Sequence, residues 1–208
     1  MFLGTMFNKA PGSNVRETGS FVFDRMFSAV EKVRERLDRA CKALEEGQVP
    51  YAIIGGNAVA VWVATVDDGA VRNTGNVDIL LRDVDLDRAT MALAKVGFVR
   101  DSVMNVTVFL DGPEGKPSQG LHILRAGAKV RPEYVTAAPQ VEQSVAIEGK
   151  RIVELEALVA MKLNSFRDKD KTHLRDMIQI EMIDAGWPSR FPPVLGARLQ
   201  SLLDDPEG

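Results

Sequence analysis

The sequence predicts an α+β protein, a small mixed β-sheet with helices on one face, followed by a helical C-terminal region. Two observations carry this. Up to residue 124, short apolar runs of strand length alternate with stretches of helical apolar period. From Leu155 to Asp184 the pattern is helical, and no strand-like run returns after it.

The elements follow in order. From about Asp24 to Glu46, Phe27, Val30, Val33, Leu37, Cys41 and Leu44 recur at helical spacing, and Gly47 marks the helix end. Tyr51 to Ile54 is a short apolar strand running into Gly55-Gly56 and an apolar helix from Asn57 to about Ala64. Val77 to Leu81 is a second strand. Asp83 or Asp85 caps a helix that Gly97 stops. Val106 to Leu110 and Leu121 to Leu124 are further strands, with the turn Asp111-Gly112-Pro113 after the first. Residues 131 to 143 hold two prolines and have no regular period. Ser144 to Val153, interrupted by Glu148-Gly149, reads as a hairpin. Leu155 to Asp184 is helical in one piece or two, and Gly196 to Leu203 is a last short helix. The expected organisation is a mobile leader over residues 1–19, an α/β core over 20–153 and a helical region over 154–208 packed on the core.

The 208 residues, 45% of them hydrophobic, are enough for one compact domain with a helical appendix. A net charge of −3 gives no global argument for a nucleic-acid or membrane partner. The single cysteine, Cys41, excludes a disulfide framework and a cysteine metal site, and is expected to be a packing residue. No apolar run approaches the ~18 residues of a membrane span. The N-terminus lacks the basic-then-apolar pattern of a secretory signal. The expectation is a soluble cytoplasmic protein without a membrane partner; the oligomeric state is not legible.

Gly55-Gly56 joins a buried strand to a helix start. Glycines there permit close backbone approach, and free amides at a helix N-terminus attract phosphate; a plain tight turn would look the same. Asn76 and Asp78 lie two apart on a strand, so their side chains share a face. A pair of aspartates so placed could hold magnesium. Asn76 offers only a neutral amide oxygen, so one negative charge is missing. His122 alternates with Leu121 and Ile123. Three readings stand for it: a ligand for zinc or another transition metal, a half-buried hydrogen-bonding residue, or a general base. If the later helix is continuous, Lys162, Phe166, Lys169, His173 and Asp176 form one stripe. Such a stripe suits a cleft wall or a solvated face with local ion pairs. Arg125 and Lys129 read as surface residues. Val130-Arg131-Pro132-Glu133 has no chemical reading.

The order strand, Gly55-Gly56, helix, Arg72-x-Thr74, Asn76-Val77-Asp78 resembles the signature of the DNA polymerase β-like nucleotidyltransferase superfamily. The segment from Leu155 through Lys162 to Asp176 resembles the C-terminal motifs of AbiE-type toxin nucleotidyltransferases and related proteins. The resemblance covers roughly residues 30 to 185. It implies a nucleotidyltransferase core that binds a nucleoside triphosphate with Mg2+, or with Mn2+ or another divalent metal. By resemblance Gly55, Gly56, Arg72, Thr74 and Lys162 face the nucleotide, and Asp78, Asn76 and His122 stand at the metal positions. Asp78, Lys162 and Asp176 stand at the catalytic ones. Asn76 and His122 both depart from the carboxylates expected at their positions. Two functions are therefore expected. One is transfer of a nucleotidyl group to a tRNA, protein or small-molecule acceptor. The other is a catalytically degenerate nucleotide- or protein-binding module, regulatory or toxin-antitoxin-like.

Overall fold

The computed structural model describes residues 15–103 and 106–207. The expected leader lies outside the described residues as far as residue 14. From there helix α1 (Val15–Glu46) begins, nine residues earlier than the periodicity places it. Six α-helices and seven strands follow one another among the described residues. After α1 come β1 (Tyr51–Ile54), α2 (Gly55–Ala64), β2 (Val77–Leu81), α3 (Leu86–Ala94), β3 (Phe98–Val103) and β4 (Val106–Asp111). Then come β5 (Leu121–Arg125), β6 (Ser144–Ile147), β7 (Lys150–Val153), α4 (Leu155–Ser165), α5 (Asp168–Gln179) and α6 (Pro193–Asp204).

The seven strands form one mixed sheet in the order β3-β4-β5-β2-β1-β7-β6. The central strands are apolar and buried, as strands covered by helices must be. β1 pairs antiparallel with β2, placing Ile54 opposite Asp78, and β2 pairs parallel with β5, placing Asp78 opposite His122. These two registers fix the site, because a slip of one residue would turn Asp78 to the other face. In α1 the positions Leu37, Ala40, Cys41 and Leu44 are buried at the helical period and belong to the same core as the sheet. α1 packs on α3 and β2, whereas α2 packs on α4 and α5. Leu158, Val159, Leu163, Leu174 and Met177 of α4 and α5 join the common core, as do Leu195, Leu199 and Leu202 of α6.

The structure departs from the sequence expectations at three elements, and the helical region after Leu155 is in two pieces. β3 is an additional edge strand: residues 99–102 are exposed, so its polar and charged side chains carry no burial pattern. α1 ends with Gln48, not Gly47, in the left-handed conformation (φ 52°). Gly47 instead lets α3 approach closely, since a Cβ there would lie 2.8 Å from that of Ala92. Neither Asp83 nor Asp85 caps α3 through its side chain; buried Asp85 accepts hydrogen bonds from Arg82 Nε (2.5 Å) and Arg88 Nη1 (3.5 Å). The helical stretch after Leu155 breaks at Phe166, whose φ of 46° turns the chain between α4 and α5. The stripe expected of a continuous helix therefore does not form as one surface.

Candidate functional site

A cavity of about 260 Å³ opens at the junction of β1 with α2, between β2, β5 and α4. Gly55, Asp78, His122, Lys162, Arg167 and Asp170 all line it. Gly55 is the first residue of α2 and has φ +69°. A Cβ at Gly55 would overlap the Asp78 carboxylate, so only glycine lets this carboxylate approach the helix start. The first amides of α2 have no side-chain cap and so remain available to an anion.

Asp78 Oδ1 lies 3.4 Å from His122 Nδ1, and His122 Nε2 donates to the Pro117 carbonyl at 2.9 Å. Both ring nitrogens therefore face acceptors, an arrangement satisfied in full only by the doubly protonated imidazolium. The hydrogen bond with Asp78 raises the His122 pKa above its ordinary 6.5, against the opposing effect of burial. In that form His122 neutralises Asp78 and neither ligates a metal nor takes a proton. A raised folded-state pKa means that the pair's stabilisation is complete below the unfolded value and is lost as pH rises through the folded one. The melting-temperature gap between the protein and His122→Gln is thus expected to narrow as pH rises above the ordinary histidine value of 6.5. A gap that stays constant over that rise would refute the charged pair.

Opposite this pair stands a buried cationic corner. Lys162 and Asp170 are 6% and 0% exposed, with Nζ and Oδ1 3.1 Å apart. Asp170 also accepts from Ser165 Oγ at 2.7 Å and from Arg167 Nε at 2.7 Å. Burial alone would raise the Asp170 pKa, but the bonds from Arg167 and Ser165 and the Lys162 charge outweigh it and hold the pKa at about 2. Burial lowers the Lys162 pKa, and Asp170 opposes that. Two cations and one carboxylate leave this corner positive. Behind it, burial and the Lys162 charge push His173 down to about 4, so its ring is neutral at neutral pH.

Asn164 fixes the cavity's outer wall. Its Oδ1 accepts from the amides of Val135 (2.8 Å) and Thr136 (3.2 Å), and its Nδ2 donates to Thr136 Oγ1 (2.5 Å). The irregular segment with no chemical reading in the sequence thereby becomes part of the site, with Val130, Arg131 and Tyr134 lining the cavity.

The other sequence-predicted residues lie elsewhere. Arg72 and Asp176 form a bidentate pair, at 2.6 Å to Nε and 3.0 Å to Nη2, and neither lines the cavity. Thr74 packs on Gly56, where a Cβ would lie 2.7 Å from Thr74 Oγ1. Asn76, which precedes β2, gives its carbonyl to Asn57 Nδ2 at 2.6 Å and lines a different pocket. Asp170, Arg167 and Asn164 were not picked out as functional residues from the sequence.

The carboxylates lining the cavity are Asp78 and Asp170, and Lys162 and Arg167 take up Asp170, so these residues offer at most one carboxylate to a divalent ion. They do not make a two-ion centre, because no group of three or more His, Cys, Asp or Glu side chains able to hold a metal occurs among the described residues.

The architecture is that of nucleotidyltransferase-like proteins. The chain is similar to a solved antigenic nucleotidyltransferase-like protein from Paracoccidioides brasiliensis, with a TM-score of 0.52 and 19% identity over 85% of this chain and 90% of that one. It is also similar to the Megavirus polyadenylate synthase, with a TM-score of 0.50 and 7% identity over 88% of this chain and 41% of that one. At these identities the likeness is one of fold. No protein-family model matches the chain, and no curated protein matches it. No helix among the described residues is long and apolar enough to cross a membrane.

Proposed function

We propose that the cavity binds a nucleoside triphosphate and that the protein transfers a nucleotidyl group from it to an acceptor hydroxyl. The observation that carries this reading is the convergence of Gly55, Asp78 and Lys162, with Arg167, on one cavity. Its polar groups match a polyphosphate. The α2 amides receive phosphate oxygens, and Lys162 and Arg167 offset their charge from the opposite wall. Asp78 would hold a divalent ion, Mg2+ or Mn2+, that enters with the nucleotide. Such an ion polarises the phosphoryl group and neutralises charge as it develops. The chain's own contribution is positioning. Asp170 and Ser165 hold Lys162 and Arg167 in place, and Asn164 holds the wall that excludes water. The AbiE-type resemblance makes tRNA and protein hydroxyls the acceptors to test first.

One observation favours a second reading, nucleotide binding without transfer. Asn76 lies away from the cavity, and His122 occupies one side of Asp78. The experiment incubates the protein with each labelled nucleoside triphosphate, Mg2+ or Mn2+, and bulk tRNA, then follows label on tRNA and on protein. Transfer is expected to fall by at least about 100-fold in Asp78→Ala, as for loss of a central charge-stabilising group. Nucleotide binding with no transfer under either metal would establish the second reading. No binding at all would overturn both.

A further inference from the structure

A second pocket, of about 530 Å³, lies against α1 beside the entry to β2. Its polar lining consists of Arg25, Ser28, Lys32, Arg36, Asn76, Ser118 and Gln119, and among the described residues no carboxylate lines it. Arg25, Lys32 and Arg36 come from one face of α1, at spacings of seven and four.

Arg36 distinguishes this pocket from an ordinary basic surface. It is 7% exposed and its Nε donates to Asp111 Oδ2 at 3.1 Å, yet its Nη1 is buried with no hydrogen-bond partner. A buried guanidinium donor left unpaired is costly, so Arg36 keeps unused capacity for an anionic acceptor. Asp111 cannot neutralise the cluster. It also takes Arg39, so two guanidiniums share one carboxylate and a net positive charge remains. Arg25 and Lys32 have no carboxylate partner among the described residues. The hydroxyl of Ser118 and the amide of Gln119 add neutral donors at the far side.

We infer that this pocket is an anion site for a phosphate group, separate from the Asp78 cavity but next to it. Asn76 is two residues from Asp78, a Cα separation of at most about 7 Å. On the other side, Ser118 and Gln119 adjoin Pro117, whose carbonyl holds His122. A phosphate bound here would place the rest of its molecule within reach of the Asp78 cavity. It also accounts for Asn76. A carboxylate at that position would line the same pocket as Lys32 and Arg36 and weaken the field that draws the anion, whereas the neutral amide leaves the field intact. The assignment stands on the α1 cluster and does not require nucleotidyl transfer.

The test is calorimetric titration of the full chain, at constant ionic strength, with inorganic phosphate, pyrophosphate, and a dinucleotide with and without a 5′-phosphate. Arg36 is bonded to Asp111, so the variants are made at exposed Lys32 and Arg25, where folding is not at stake. Wild-type binding in the millimolar range or tighter is expected, with Lys32→Glu weakening it at least tenfold and Arg25→Ala several-fold. Preference for the 5′-phosphorylated dinucleotide over its unphosphorylated counterpart would identify the anion as part of a larger substrate. Binding of the inorganic anions alone would identify it as free phosphate. Absence of binding, or binding that survives Lys32→Glu and is lost in Lys162→Met, would overturn the assignment.

Discussion

Replacing Asp170 with alanine is expected to cost about 3–5 kcal/mol of folding stability, the cost of breaking a buried ion pair from one side. The carboxylate is fully buried and receives Lys162, Ser165 and Arg167 at once. Its removal strands the Lys162 ammonium in a site only 6% exposed. Urea denaturation of the single variant and of the double variant Asp170→Ala, Lys162→Met measures this directly. The double variant removes both charges and is expected to recover a substantial part of the loss. A cost below about 1 kcal/mol, the range of a solvated surface pair, would refute the buried corner.

Gly55→Ala is expected to cost about 2–4 kcal/mol, combining about 1–2 for a left-handed non-glycine residue with the overpacking of a methyl group against Asp78. Gly97→Ala supplies the control. Gly97 has φ +89° and nothing within 4 Å of its would-be Cβ, so it meets the backbone cost without the clash. The excess for Gly55 over Gly97 therefore reports the carboxylate's proximity. The same substitution should abolish nucleotide binding if Asp78 is displaced from the cavity. Equal costs at the two glycines would show that Asp78 does not sit against the start of α2.

The readable parts of the site are those where a short-range pattern dictates geometry. Strand period puts Asp78 on a defined face, and the apolar runs around Gly55, Asp78 and His122 mark the strands that bring these residues together. Lys162 stood out by helical spacing as one of a mixed stripe, and only a resemblance gave it a role at the nucleotide. Asp170 was not, because a run of alternating charge from Arg167 to Lys171 reads as a solvated surface. Its burial depends on the chain turning at Phe166, and a phenylalanine gives no local sign of a left-handed backbone. The charge state of His122 was open for a related reason. It depends on the Pro117 carbonyl and the Asp78 carboxylate, which meet the ring only through tertiary pairing. In the fold, the buried strands announced themselves, whereas β3 did not: an exposed edge strand is selected against a hydrophobic pattern.

The pair between Arg72 and Asp176 joins residues 104 apart in the chain, whereas the bond between Lys162 and Asp170 spans only eight. Loop closure makes distant contacts slow to form. Once α5 is present, the cationic corner can therefore assemble first, within one helical hairpin. Arg72, in the connection leading into β2, gains its ion-pair partner only when α5 docks. A nascent chain stalled before α5 would carry Asp78 on its strand, with Asn57 able to hold the Asn76 carbonyl, while Arg72 still lacked its partner. The order in which the chain emerges thus delays completion of the site until α5 has been made.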